Sequence, residues 1–419
     1  MMAKHMVSAA ALFAALIGLP AAAVPAPIAM SETEAQSALP PILKSRERAA
    51  TENRILAERL DAIIPAIMRE QDIDLWLLVD REYFEEPVVA SMLDAENMHT
   101  RRRTILIFHD PGDGKPIERL TVSRYGLGGL FAPAWDPSKQ PDQWQSVAEI
   151  IAARDPAKIA INTSDLYQFA DGMTLSQYNK FVSALPGPLR QRIVSGESLA
   201  IRWLETRTPS EMELYPAIVR TAHAVIGEAF SRAVITPGVT TAEQVQWWYR
   251  DRLLQLGFDP WFHPSVAIQR EGAKGMLEGA EVIQPGDLLW TNFGITYLRL
   301  YADTQHLAYV LRPNESSAPV DLRQGLANSN HVQDMLTRHF AVGRSGNAVL
   351  ARADAVAAGL DPPIYTHPIG LHGHGAGPSI GLWDNQNADP RGSGRSTPTL
   401  RGQSNLHLTL RCPNGAASE

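Results

Sequence analysis

The segment GDLLWTNFG at positions 286–294 decides the fold of this chain, together with Asp303, which follows Asn292 by eleven residues. Residues 288–297 and 298–311 are predicted to be β-rich, and Gly294 permits a bend or a close backbone approach between strands. Asn292 and Asp303 would then lie on neighbouring strands. Carboxylates on neighbouring strands can bridge two hard cations, with a histidine nitrogen completing the coordination of one of them.

A second segment, HPIGLHGHGAG at 367–377, supplies histidines among glycines. Glycine lets backbone and imidazole approach a ligand closely, so His372 and His374 are candidates for binding or catalysis. The residues alone leave a plainer alternative open, in which Asp303 belongs to an ordinary hairpin and the histidines to an ordinary glycine-rich turn.

The two segments resemble metal-ligand segments of the pita-bread hydrolases, the family of aminopeptidase P, prolidase, methionine aminopeptidase and creatinase. The resemblance runs from about 207 to about 391, on the Xaa-Pro aminopeptidase branch. It implies metal-ligand positions at Asn292, Asp303 and His374. It also implies a catalytic role for His372, which would contact either the metal ligands or the substrate.

The same resemblance exposes two departures from the family pattern. Metal-dependent members hold two divalent cations (Mn, Co or Zn) with two Asp, one His and two Glu. Here the first Asp is Asn292, and neither Glu appears after His374. A neutral amide cannot supply anionic, bidentate coordination, so at most one weak cation site is expected, at Asp303. The function expected by descent is Xaa-Pro aminopeptidase or prolidase chemistry, impaired in this chain.

The tail, 396–419, departs furthest from the family pattern. Relatives place a Glu-bearing strand pair there, whereas this chain ends in LRCPNGAASE. In a shifted reading frame, codons for 412–418 can encode Pro-Glu-Trp-Gly-Gly-Lys, which resembles a segment of the Xaa-Pro branch. We therefore predict a frameshift, either natural or a sequencing error, that removed both Glu ligands and the last strands of the fold.

The N-terminus is typical of an export signal. Lys4 precedes an uncharged apolar stretch at 7–19, and alanines follow Pro20. The stretch is shorter than the roughly 20 residues that span a bilayer, so no membrane span is expected after processing. We predict a signal peptide at 1–30, a flexible lead-in at 31–45, and a periplasmic or extracellular destination. The single cysteine, Cys412, excludes an intrachain disulfide.

Between these ends the pattern predicts two domains. Helical and strand patterns alternate over 46–205, which is typical of α/β layering. The second domain, 206–395, is expected to have the α+β pita-bread fold. Its first helix is predicted to begin at Ser210 with an apolar stripe from Met212 to Phe230, and its second to follow a capping box at 240–243.

Composition limits the partners. The 419 residues carry 38 Lys+Arg and 45 Asp+Glu, a net charge of −7 that is spread along the sequence. The one basic cluster, Arg101 to Arg103, is expected to be a solvated loop, so the charge pattern does not indicate nucleic-acid binding. The expected substrate is an Xaa-Pro peptide or dipeptide, and the resemblance favours a homodimer. Two alternatives stay open: a non-catalytic peptide-binding or scaffold protein on the same fold, and metal-free creatinase-like chemistry.

Overall fold

The computed structural model describes residues 39–165, 167–339 and four two-residue strands beyond them. The predicted signal segment 1–30 and both candidate histidines, His372 and His374, lie outside the described residues. Within them, no helix is long and apolar enough to cross a membrane.

The first half of the described chain forms a six-stranded sheet with helices on both faces. Its strands are β1 (Leu75–Arg81), β2 (Arg103–His109), β3 (Glu118–Thr121), β4 (Ala132–Pro133), β5 (Ile159–Ile161) and β6 (Ile193–Ser195), in the order β4-β3-β2-β1-β5-β6. Its helices are α1 (Ser45–Glu70), α2 (Pro87–Ser91), α3 (Gln143–Arg154), α4 (Leu175–Ala184), α5 (Gly187–Arg190) and α6 (Glu197–Glu205).

Alternation along the central strands divides this region into two cores. Trp76 and Leu78 of β1 join one hydrophobic cluster, which includes residues of α1, α2 and α6. Leu75 and Leu77 join the other, which includes residues of α3, α4 and α5. Successive side chains of a strand point to opposite faces, so a sheet buried on both sides needs apolar residues throughout. The three layers are those expected of an α/β arrangement.

The second half forms a four-stranded sheet covered by two helices. Its strands are β7 (Asp259–Pro260), β8 (Ser265–Gln269), β9 (Leu288–Tyr297) and β10 (Leu300–Tyr309), and its helices are α7 (Pro209–Ala229) and α8 (Ala242–Leu256). A further helix, α9 (Val320–His339), follows. The last described strands pair antiparallel, Tyr365–Thr366 with Leu410–Arg411 and Gly370–Leu371 with Leu406–His407.

Helix α7 begins two residues earlier than the sequence predicts. Thr208, not Ser210, is the N-cap, and its side chain accepts a hydrogen bond from the backbone N–H of Glu211, whose carboxylate accepts one from the N–H of Thr208. Pro209 at the first helical position fits this register, because its fixed φ suits the first turn and its missing N–H needs no partner there. The predicted apolar stripe also begins too early, since Met212 in the first turn is 39% exposed.

The capping box of α8 is displaced by one residue from the predicted one. Thr241 caps the helix and exchanges hydrogen bonds with Gln244, whereas the prediction paired Thr240 with Glu243. Both pairs fit the spacing of the motif. Thr240 is instead occupied in the preceding turn, where its hydroxyl accepts a hydrogen bond from the N–H of Thr236.

The turn between β9 and β10 consists of Leu298 and Arg299, both with positive φ (54° and 60°). Positive φ at both positions is the geometry of a tight two-residue hairpin, although it is unfavourable for residues other than Gly, Asn or Asp. Contacts to the first half of the chain hold this turn. The Arg299 guanidinium donates to the Glu52 carboxylate at 3.1 Å and to the Leu93 carbonyl at 2.6 Å.

Candidate metal-ligand face of the β9–β10 hairpin

The β9–β10 hairpin has a core face and a polar face. Phe293 and Ile295 of β9 are buried in the hydrophobic cluster that includes residues of α7 and α8. Asn292 and Gly294 alternate with them and therefore lie on the other face, because side chains of a strand alternate with a period of two. We call this other face of β8, β9 and β10 the polar face.

Register places the predicted ligands on the polar face together. Asn292 lies opposite Gln305 of β10 and opposite Ser265 of β8, while Asp303 lies opposite Gly294. Asn292 and Asp303 are thus diagonal neighbours on one face, a separation of roughly 7–8 Å that long side chains and a shared ion can span. Their placement on neighbouring strands is confirmed, and their role as ligands stays a prediction.

Gly294 is required where the strands approach most closely. A Cβ at this position would lie 2.6 Å from the backbone oxygen of Ala302 and 2.7 Å from a ring carbon of Phe262. A backbone oxygen cannot move aside as a flexible side chain can. The close approach predicted at Gly294 is therefore present, and the Phe262 ring occupies the space that a side chain at position 294 would need.

Three amide oxygens on the polar face lack hydrogen-bond donors among the described residues, those of Asn292, Gln305 and Gln269. Asn292 Oδ1 and Gln305 Oε1 are both buried and have no partner among the described residues. Since neither oxygen receives a hydrogen bond, the two opposed carboxamides do not bond to each other. A buried acceptor without a donor costs about 1–3 kcal/mol. A bound cation, which needs oxygen ligands, would remove this cost, and the donor set therefore fits a hard ion in part.

Aromatic rings border the polar face. Trp261 packs against Phe262 and against Tyr301, with ring centroids 5.2 and 5.5 Å apart, and Tyr301 precedes Asp303 by two residues on the same face of β10. Burial raises the pKa of the Tyr301 hydroxyl. The polar face is thus bordered on one side by aromatic rings. Such rings could contact an apolar side chain of a bound peptide.

Other histidines lie away from the polar face or at its margin. His306 alternates with Gln305 and so points to the core side of β10, where its ring centroid is 4.5 Å from that of His223 of α7. Burial lowers the pKa of both imidazoles. His263 is exposed, and its ring centroid lies 5.4 Å from that of Trp247.

Across the described residues, no group of three His, Cys, Asp or Glu side chains lies close enough to hold a metal. Asp303 is the one carboxylate among the predicted ligands, and His374 lies outside the described part. Gln305 and Ser265 were not predicted from the sequence. Gln305 follows Asp303 by two residues in a predicted strand, and this spacing could have indicated that both lie on one face.

A separate pair of buried acids lies in the first half of the chain. The Asp80 carboxylate accepts a hydrogen bond from the backbone N–H of Glu86, and the Glu86 carboxylate accepts hydrogen bonds from the N–H groups of Val88 and Val89 and from Asn162. Burial raises the pKa of Asp80 to about 9 and that of Glu86 to about 7. The hydrogen bonds from Val88 and Val89 cap helix α2, which gives Glu86 a structural role.

Comparison with known proteins identifies the second half of the chain. Residues 217–405, which include the hairpin and the histidine segment, match metallopeptidase family M24. The chain carries an M24 domain. Comparison of the sequence with curated proteins gave no match.

Solved structures extend the similarity to the first half of the chain. X-Pro aminopeptidase from Thermotoga maritima MSB8 aligns over 84% of this chain and 92% of its own, with 13% identity and a TM-score of 0.59. A putative aminopeptidase P from Bacillus anthracis aligns over 85% and 91%, with 11% identity and a TM-score of 0.56. A dipeptidase from Pyrococcus horikoshii OT3 aligns over 83% and 88%, with 15% identity and a TM-score of 0.52. Such identities show the fold alone, and they confirm the predicted α/β region followed by a pita-bread fold.

Proposed function

We propose that this chain descends from a hydrolase acting on Xaa-Pro peptides or dipeptides and that its activity is impaired at the metal site. The observation that carries the proposal is the position of Asn292. It lies on β9, diagonal to Asp303, where the family resemblance expects a carboxylate ligand. The M24 match and the likeness to X-Pro aminopeptidase support the substrate class.

Charge explains the impairment. When bound, divalent cations at such a site supply a hydroxide nucleophile at neutral pH and polarise the scissile carbonyl. Two Asp and two Glu would offset the charge of two such ions, whereas the described ligand positions offer Asp303 alone. The Asn292 amide oxygen can coordinate a hard ion but adds no charge. We therefore expect one weak cation site and little or no hydrolysis in the wild-type chain.

The decisive variant is Asn292→Asp. It restores a carboxylate on the polar face, so we expect Mn²⁺ affinity, measured by calorimetry, to rise by at least about tenfold, the scale on which even residues outside the ligand set alter metal binding. Hydrolysis of an Xaa-Pro dipeptide with added Mn²⁺ should rise with it. Asn314→Asp is the matched control, because it adds the same charge at an exposed position beyond β10.

Two results would contradict the proposal. Equal Mn²⁺ affinity in the wild type and the Asn292→Asp variant would show that position 292 does not contact the ion. ICP-MS and dipeptide hydrolysis measure the second result. Two bound ions with full turnover in the wild-type chain would show that the site is complete and that the chain is not impaired.

A second candidate is a non-catalytic peptide-binding protein on the same fold. Asn292 favours it, since an amide in place of a carboxylate keeps the shape of the polar face while removing its charge. Peptide binding that is unchanged by EDTA would support this candidate. Binding or turnover that EDTA abolishes would exclude it.

The proposal includes export of the mature chain and a frameshifted tail, both of which concern residues outside the described part. Mass spectrometry of the purified protein tests removal of residues 1–30. The nucleotide sequence tests the frameshift, because any codon over 412–418 that is incompatible with the alternate reading excludes it.

A further inference from the structure

The polar face carries an oxygen donor that the predicted ligand set does not include. Gln305 lies directly opposite Asn292 across the β9–β10 ladder and two residues from Asp303 along β10. Directly opposite residues have Cβ atoms about 4.5–5.5 Å apart, and residues two apart on a strand share a face. Asn292, Asp303 and Gln305 therefore occupy three corners of one rectangle of the ladder, and Gly294 occupies the fourth.

The chemistry of the two amides indicates the class of ligand. Asn292 Oδ1 and Gln305 Oε1 are buried acceptors without donors among the described residues. Two amide oxygens beside one carboxylate form an all-oxygen set with a single negative charge. Such a set suits a hard cation such as Mn²⁺, Mg²⁺ or Ca²⁺ and gives no advantage to ions that favour nitrogen or sulfur.

We propose that Gln305 is a ligand of the single cation held by this chain, coordinating it through Oε1 together with Asn292 Oδ1 and the Asp303 carboxylate. The proposal rests on the proposed function for the presence of a cation at the hairpin. It goes further in assigning a third ligand and in predicting a preference for oxygen-coordinated ions. At the fourth corner Gly294 admits the Phe262 ring, which borders the three oxygen donors.

The polar face offers a matched control. Gln269 of β8 also has a buried Oε1 without a donor among the described residues, and it lies opposite Leu288 on the same face. Leu288 is four residues from Asn292 along β9, roughly 13 Å at the rise of a strand. Gln269 thus shares the chemistry and burial of Gln305 but is too distant to contact the same ion.

The experiment measures Mn²⁺ binding to the full chain by calorimetry, with Zn²⁺ measured in parallel. We expect Gln305→Ala to weaken Mn²⁺ binding by about tenfold and Gln305→Glu to tighten it by at least as much, because the latter adds a carboxylate at the ligand position. Gln269→Ala and Gln269→Glu should leave the affinity within about twofold. Far-UV circular dichroism establishes that each variant is folded.

Three results would overturn the inference: no Mn²⁺ binding by the wild type, unchanged affinity in both Gln305 variants, or equal effects of the Gln305 and Gln269 substitutions. Its failure can be distinguished from failure of the proposed function. If Asn292→Asp gains dipeptide hydrolysis while the Gln305 variants bind as the wild type does, the inference falls and the function stands. If Gln305→Glu tightens Mn²⁺ binding while Asn292→Asp gains no hydrolysis, the inference stands and the proposed function falls.

Discussion

Removal of the Arg59 guanidinium should destabilise the protein, because Arg59 forms a buried ion pair that joins α1 to α7. Arg59 is 1% exposed, and its Nη1 lies 2.9 Å from the Glu211 carboxylate. The same nitrogen donates to the Thr206 carbonyl at 2.7 Å, and the guanidinium lies 4.4 Å from the ring centroid of Trp203. Burial lowers the pKa of Arg59 to about 10, which leaves it charged at neutral pH.

The Arg59→Met variant keeps the aliphatic stem and removes the charge. Breaking one side of a buried ion pair costs about 3–5 kcal/mol, because the remaining charge stays buried. Arg207 also contacts Glu211, at 3.3 Å, so the carboxylate keeps one partner. We therefore expect the lower end of the range, about 3 kcal/mol. Glu211→Gln should cost more, since it leaves two buried guanidinium groups facing each other.

Urea denaturation followed by tryptophan fluorescence and circular dichroism measures these changes. Arg69→Met is the matched control: Arg69 is in the same helix and also lies 2.9 Å from a carboxylate, that of Asp110, but its side chain is 43% exposed. Exposed pairs contribute little, so the urea midpoint should not move. Equal shifts of the urea midpoint for Arg59→Met and Arg69→Met would contradict this prediction. So would a smaller shift for Glu211→Gln than for either arginine variant.

Three further predictions follow from the described contacts. Gly294→Ala should destabilise the protein by about 1–3 kcal/mol, measured by urea denaturation, because the added Cβ would lie 2.6 Å from the Ala302 oxygen. Gly227→Ala is the control and should be neutral or stabilising, because position 227 is helical and has nothing within 4 Å of the added Cβ. Burial raises the pKa of Asp80 from 3.8 to about 9, so the folded state binds more protons than the unfolded state and stability falls as pH rises across that interval. Asp80→Asn should flatten this fall in thermal melts, and an unchanged pH profile would contradict it. Thr208→Ala should lower the free energy of unfolding by about 1 kcal/mol, because it removes the N-cap of α7. A smaller decrease for Ser210→Ala in the same urea measurement would confirm that Thr208 is the N-cap.

The sequence alone located the hairpin but not its turn. The predicted β-rich segments 288–297 and 298–311 correspond closely to β9 and β10. The prediction nevertheless began the second strand at Leu298, because Leu and Arg carry no turn signal. Tertiary contacts of Arg299 with Glu52 and Leu93 hold the left-handed backbone there. Such a turn cannot be predicted from local propensity, since its cause is remote in sequence.

The candidate site could be predicted only as far as the family pattern extended. Asn292 and Asp303 were found because their spacing matches known ligand segments. Gln305 was missed because a resemblance transfers known roles and assigns none to a neutral amide. Register supplied the missing step, since only the pairing of β9 with β10 shows that Gln305 lies opposite Asn292.

The two faces of the hairpin separate the residues that pack the core from the residues of the candidate metal site. Phe293 and Ile295 are fully buried against the helices, so a polar substitution there would remove core packing and leave an unpaired polar group. Asn292 and Gln305 lie opposite each other on the other face of the hairpin, away from those helices. Under the proposed function, exchange of a carboxylate for an amide on the polar face would therefore alter ion affinity with little effect on packing. In the proposed function, the fold and the metal site depend on alternate residues of the same two strands, so the fold can persist while the site is weakened.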